Sequence, residues 1–198
     1  MKKTLLLIFF FIIYNLNLNA ETLDEIKRIS IGNKDAKITL ITYESLTCSH
    51  CADFHIDILP KLKKDFIDTG LIKIEFRNFP LDLAAFNAAK IAHCGYTGKS
   101  KILHRFYKDQ NKWVKGKTVQ ELANNFKKYY KEDVESETGI NYEKCISDKN
   151  IEDHILNDRI SGVKKFKIEA TPTLIINGKK FDNPHNYKKL KKSIEKLI

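Results

Sequence analysis

Apolar and polar positions follow two periods along this chain. Lys37-Ile38-Thr39-Leu40-Ile41-Thr42-Tyr43 is dense in β-branched residues and predicts a buried strand. Leu71 to Phe79 alternates, with Ile72, Ile74 and Phe76 facing one way and Lys73, Glu75 and Arg77 the other, so a second strand follows. Between them Cys51, Phe54, Ile58/Leu59, Leu62 and Phe66 recur at helical spacing, which predicts a helix opening at Ser49 and His50. Pro60 removes one backbone donor and should kink that helix, and Gly70 ends the segment. Strand, helix and strand make a βαβ unit, hence parallel pairing and a right-handed crossover.

Ahead of this unit, residues 21–33 form a short lead-in, with Arg28-Ile29-Ser30-Ile31 as a candidate edge strand and Gly32-Asn33 as a turn. Behind it, from Leu81 to about Lys167, the period is helical. Leu83, Phe86, Ala89 and Ile91 start one helix; Ile102, Leu103, Phe106 and Tyr107 form another. Thr118 and Glu121 read as a capping box before Val119, Leu122, Ala123, Phe126 and Tyr130, while Ile151, Ile155 and Val163 line a last helix. Pro172 to Ile176 is a further strand, and Asn177-Gly178 favours a type I′ turn that returns Lys179 to Asp182 antiparallel. A final helix presents Tyr187, Leu190, Ile194 and Leu197 inward.

Composition adds a compartment. Lys2 and Lys3 precede an apolar run from Leu5 to Ile13 that is too short to cross a bilayer comfortably, and a polar stretch ends at Ala20. Residues 1–20 therefore read as a secretory signal peptide, with an uncleaved anchor as the alternative because Leu18 is large for the −3 position. The remaining chain then carries no membrane-spanning segment. Four cysteines in 198 residues are too few for a disulfide scaffold, so an apolar core must hold the fold. The net charge of +10 drops by two with the leader; its lysines are scattered over solvated helix faces rather than gathered into a nucleic-acid or membrane patch.

Candidate chemistry lies at Cys48-Ser49-His50-Cys51, between the first strand and its helix. A thiol at a helix N-terminus faces free N–H groups and the positive end of the macrodipole, which stabilise its thiolate, the nucleophilic form. Cys51, three residues on, lies on the same side and can close a disulfide with Cys48, so the pair reads as a redox dithiol requiring no cofactor. A zinc site built from Cys48, Cys51, His55 and a distant cysteine is the competing reading, weakened because no second close pair exists. His50 can stabilise the Cys48 thiolate through its imidazole, or can be merely an exposed residue of the first turn.

The segment from Tyr43 to His55, the run Arg77-Asn78-Phe79-Pro80-Leu81 and the run from Ala170 to Gly178 together resemble the DsbA-like branch of the thioredoxin superfamily. The resemblance implies an α/β thioredoxin fold over residues 21–198 with an inserted helical lobe at about 81–167. It implies a periplasmic thiol:disulfide oxidoreductase with Cys48 as nucleophile and Cys51 as resolving thiol, tuned by His50. It also implies a cis-proline loop at Thr171-Pro172 that faces the dithiol and pairs with substrate. The implied partners are exported proteins with free thiols and a membrane protein that reoxidises the dithiol, with no metal and no nucleic acid. Some relatives carry a second disulfide in the lobe, and Cys94 and Cys145 resemble it, with two buried free thiols as the alternative.

One departure stands out. Many relatives hold, six residues before the first cysteine, a buried carboxylate that relays protons during exchange; this chain has Thr42 there, which leaves that relay without its usual residue. Glu44 is read as lying on the opposite strand face, a weak substitute, and His55 as an ordinary helix residue. A disulfide reductase or isomerase, and a non-catalytic thioredoxin-fold binding protein, remain the rival functions.

Overall fold

Strand β2 (Ile38–Glu44) is the centre of the sheet, and its alternation decides which residues meet which layer. The computed structural model describes residues 25–99 and 101–198; the signal-peptide reading of residues 1–20 lies outside them. β2 pairs parallel with β3 (Ile72–Asn78) and antiparallel with β4 (Thr173–Ile176). β1 (Ser30–Gly32) and β5 (Lys179–Phe181) complete a five-stranded sheet in the order β1-β3-β2-β4-β5. Asn177 and Gly178 both take positive φ at the β4–β5 turn, as a type I′ hairpin requires.

Two apolar layers follow from the strand period. Ile38 and Leu40 of β2, with Ile72, Ile74 and Phe76 of β3, face helix α1 (residues 49–67) and α8 (Tyr187–Glu195) in the larger core. Tyr43 and Ile175 face the other way and pack with Phe79 and Ile168, under α7 (Lys149–Phe166). That second layer depends on a close approach. A Cβ built on Gly162 of α7 would stand 2.7 Å from Cε1 of Tyr43. Gly162→Ala should therefore destabilise the protein by roughly 1–3 kcal/mol through overpacking, although alanine is the better helix former; chemical denaturation would measure it.

Pro60 does not produce a simple kink. α1 absorbs it by widening, with π-helical turns at Phe54–Ile58 and Lys63–Ile67 around an α-helical turn at Leu59–Leu62. The N–H of Leu59 bonds to the carbonyl of Phe54, five residues back.

Between β3 and β4 lie α2 (Leu83–Ala92), α3 (Lys101–Lys108), α4 (Gln110–Trp113), α5 (Val119–Thr138), α6 (Tyr142–Ser147) and α7. Their core is aromatic: the ring of Phe126 lies 4.7 Å from Phe106 and 4.8 Å from Trp113, centroid to centroid. A disulfide joins Cys94, after α2, to Cys145 of α6, with Cα atoms 5.4 Å apart. The thioredoxin architecture with a helical insert is the observed fold.

Several positions expected inward face solvent: Leu83, Val119, Val163 and Leu197 are all exposed. The places of Leu83 and Val163 are taken by small or polar residues, Ala84, Ala85 and Ala88 on α2 and Asp158 and Gly162 on α7, which carry no hydropathy signal. The Thr118 hydroxyl accepts from the Glu121 N–H at 3.2 Å, but the Glu121 carboxylate receives the N–H of Lys117, not that of Thr118, so the capping box closes one residue early.

Candidate redox site

Cys48 is the N-cap of α1, in extended conformation, and gives the helix no side-chain cap. The first N–H groups of the helix are left to the sulfur. Its neighbour across the site is the cis-proline loop: the Thr171–Pro172 bond is cis, and the Thr171 carbonyl accepts from the Cys48 thiol at 3.3 Å. Thr171 is buried, and its hydroxyl, aimed at the sulfur, has no other partner. Cys51, one turn into the helix, is completely buried. Both active-loop cysteines are free thiols.

The two thiols differ in acidity. Cys48 is lowered to about 5, first by the hydrogen bond from the Cys51 thiol, against the opposing effect of burial, with Thr171 and the N–H groups of Cys51 and His50 adding to the lowering. Cys51 is pushed far up by burial, and further by the nearby Glu44 carboxylate. The arrangement is a half-buried thiolate over a fully buried thiol.

His50 acts on Cys48 through its backbone. Its ring points outward, with Nδ1 3.5 Å from Asp53 Oδ2 and the His185 ring 5.1 Å away. His185, in the segment between β5 and α8, had no signal in the sequence.

The lobe contributes a further hold on the site. Gln110 of α4 donates from Nε2 to the carbonyls of Leu46 at 2.9 Å and Cys48 at 3.0 Å, fixing the loop that carries Cys48. On the other side of that loop, Thr47 donates to Asp82 at 2.6 Å, and Asp82 caps α2 through the Ala85 N–H. Neither contact is legible from spacing, since 62 residues separate Gln110 from Cys48.

Two readings of the surroundings need correction. Glu44 does not face away from Thr42: residues two apart on a strand share a face, and the Thr42 hydroxyl donates to Glu44 Oε1 at 2.9 Å. His55 is no ordinary helix residue either. It is buried four residues after Cys51, with both ring nitrogens engaged, one by Glu44 and one by His104. The signal was present in both cases, as a period of two for Glu44 and a helical i, i+4 relation for His55. Among the described residues no group of three or more His, Cys, Asp or Glu side chains is placed to hold a metal ion, and no helix is long and apolar enough to cross a membrane.

Comparison with known proteins gives consistent matches. The sequence model of the family described as Thioredoxin matches residues 24–196. A Rickettsia bellii protein with the provisional name protein-disulfide oxidoreductase is 31% identical over 170 residues, 85% of this chain and 63% of that protein. The chain thus spans less than two thirds of that relative's length. Disulfide bond formation protein D of Bacillus subtilis is 28% identical over 181 residues, 85% of this chain and 76% of that one. Among solved structures, alpha-DsbA1 of Wolbachia pipientis superposes with a TM-score of 0.69 at 29% identity, covering 86% of this chain and 90% of that one.

Proposed function

Because the chain belongs to the thioredoxin family and has a DsbA-like fold, we propose that it is a thiol:disulfide oxidoreductase that introduces disulfides into exported proteins beyond the inner membrane. The observation that carries the reading is the pairing of an acidic, accessible Cys48 with a buried, protonated Cys51 under the Thr171 carbonyl. A stabilised thiolate favours the reduced dithiol and makes its disulfide a strong oxidant.

In the proposed cycle a substrate thiolate attacks Cys48 of the Cys48–Cys51 disulfide. The new bond joins substrate sulfur to Cys48, and Cys51 leaves and is protonated. A second substrate thiolate then attacks the first substrate sulfur, forming the substrate disulfide and releasing Cys48 as thiolate. His50, Thr171 and Pro172 shape the Cys48 surroundings, and Cys94–Cys145 braces the lobe. Reoxidation calls for a membrane partner that accepts two electrons from the dithiol.

Equilibration of the dithiol with glutathione tests the direction: a potential near that of strongly oxidising family members supports the reading, and one near cytosolic thioredoxin assigns the protein to reduction instead. Cys51→Ala should accumulate substrates as mixed disulfides on Cys48, since intramolecular resolution is gone. Mass spectrometry of the adducts checks this, and equal trapping on Cys51 in a Cys48→Ala protein would reverse the two roles.

A further inference from the structure

The lysines do not stay scattered once the chain is folded. Residues 179–198 hold seven of them against Asp182 and Glu195, so half of the net charge of +10 lies in one tenth of the chain. Helix α8 turns Leu190 and Ile194 to the core. At about 100° per residue, Lys188, Lys189, Lys192 and Lys196 then share one outward arc, bordered by Glu195, and all four are exposed. On the inner flank of the helix Lys191 is paired with Asp65 at 2.7 Å. On the other flank Ser193 and Leu197 turn toward β5, whose Lys179 and Lys180 are exposed as well.

Two features set this face apart. Elsewhere lysines find acids: Lys73 meets Glu75, Lys90 and Lys149 meet Glu152, and Lys127 meets Glu143. Among the described residues Lys179, Lys180 and the four outward lysines of α8 make no ion pair, and the polar partner of Lys189 is the neutral Asn183 amide. An uncompensated field of one sign repels itself and is relieved by an anionic surface. The second feature is apolar. Ile176, Phe181 and Leu197 line a groove between β5 and α8, and Leu197 and Ile198 are exposed beside the lysines. Apolar side chains gain nothing against a phosphate backbone, and residues 179–198 contain no arginine to grip phosphates in pairs or stack on bases. Lipid headgroups over acyl chains match both features.

We propose that the outward face of α8, with the β5 lysines and the Leu197 groove beside it, docks the protein on an anionic membrane surface. The lysines meet lipid phosphates as point charges, while Leu197 and Ile198 enter the boundary between headgroups and acyl chains. Such attraction falls off within a Debye length, so docking is reversible and sensitive to salt. The inference does not rest on the dithiol-exchange reading, but it bears on it. His185, two residues ahead of α8, has its ring 5.1 Å from that of His50. The nine residues of α8 span about 14 Å, so a bilayer lying along this helix passes close to the dithiol edge.

Flotation of the exported protein with vesicles tests the docking. Vesicles of equal parts phosphatidylglycerol and phosphatidylcholine should retain it at low salt, pure phosphatidylcholine should retain about tenfold less, and physiological salt should release most of it. The excess on anionic vesicles is the readout, which cancels any contribution from residues 1–20. A lysine close to such a surface is worth about fivefold in binding, so Lys188→Gln with Lys192→Gln should lower the excess by roughly twentyfold. Lys115→Gln with Lys117→Gln removes the same charge from an exposed stretch of the lobe and should change it by less than about threefold. Leu197→Ser should weaken it by roughly fivefold through lost apolar burial. All five positions are exposed, and unchanged thermal melts would show that the variants are folded. Equal retention on both kinds of vesicle, or equal loss from the two lysine pairs, overturns the proposal. Tighter binding to a DNA duplex than to the anionic vesicles at the same salt overturns it too, and assigns the face to nucleic acid.

Discussion

Cys48→Ala is expected to abolish disulfide exchange and to remove one component of the pH dependence of stability in the reduced protein. Cys51 cannot substitute, because it is fully buried and its acidity is suppressed by that burial. The stability component follows from the folded thiol being lowered to about 5 from 9.0. Unfolded chains bind the proton more tightly across that interval, so the contribution is complete above about pH 9, shrinks as pH falls and is gone below about 5. At neutral pH roughly half of it is present; with the sulfur half-exposed and screened, about 1–2 kcal/mol is a fair scale. That corresponds to a melting temperature higher by roughly 4 °C in the reduced wild type than in Cys48→Ala. Thermal melts of both proteins across pH, with thiolate absorbance of the reduced protein alongside, would check it. A gap that widens toward acid, or a thiol transition near that of free cysteine, would contradict the assignment.

The largest expected loss of stability comes from a residue remote from the dithiol. Asp158 of α7 is 1% exposed and accepts from the N–H of Asn78 at 3.1 Å and from its side-chain amide at 3.0 Å. Arg28 reaches its other oxygen at 3.4 Å, and Arg77 stands 3.9 Å away. This carboxylate ties the lead-in segment, β3 and α7 together. Asp158→Ala would leave Arg28 without the counter-charge beside it and the Asn78 backbone N–H without its acceptor, while Arg77 keeps Glu75 and the Asn78 amide keeps His93. The Arg28 side chain is 43% exposed and Arg77 stays paired, so the cost is mainly that of an orphaned donor and a lost buried contact, about 2–3 kcal/mol, and at a few degrees per kcal/mol the melting temperature should fall by roughly 7 °C. Denaturant unfolding would measure the loss; a change under about 1 kcal/mol, the range of an exposed pair, would show that the cluster is effectively solvated. Exchange by folded Asp158→Ala should persist, because none of its partners touches Cys48 or Cys51.

The strands, the active-site helix, the dithiol and the terminal hairpin were all legible in the sequence. Each rests on a short-range rule: a period of two along Leu71–Phe79, a helical period after Cys51, and Asn-Gly at a turn. The helical segment from Leu81 onward is legible as helical, but hydropathy points the wrong way at Leu83 and Val163. There the buried positions include alanines, a glycine and an aspartate, whose burial comes from close approach and ion pairing rather than hydropathy. Strand alternation alone places Thr42 and Glu44 on one face, where the structure joins them, against the opposite face expected for Glu44.

By itself, the sequence determined where a thiolate can form, since a cysteine at a strand–helix junction and another one turn later are local facts of chain direction and N–H supply. Tertiary structure alone decided what surrounds those sulfurs. Thr171 reaches Cys48 across 123 residues, Gln110 across 62, and His104 meets His55 across 49. Such contacts depend on how the sheet order and the inserted helices bring distant segments to one place. No local period encodes that, because hydrogen-bond partners set by packing leave no repeat along the chain.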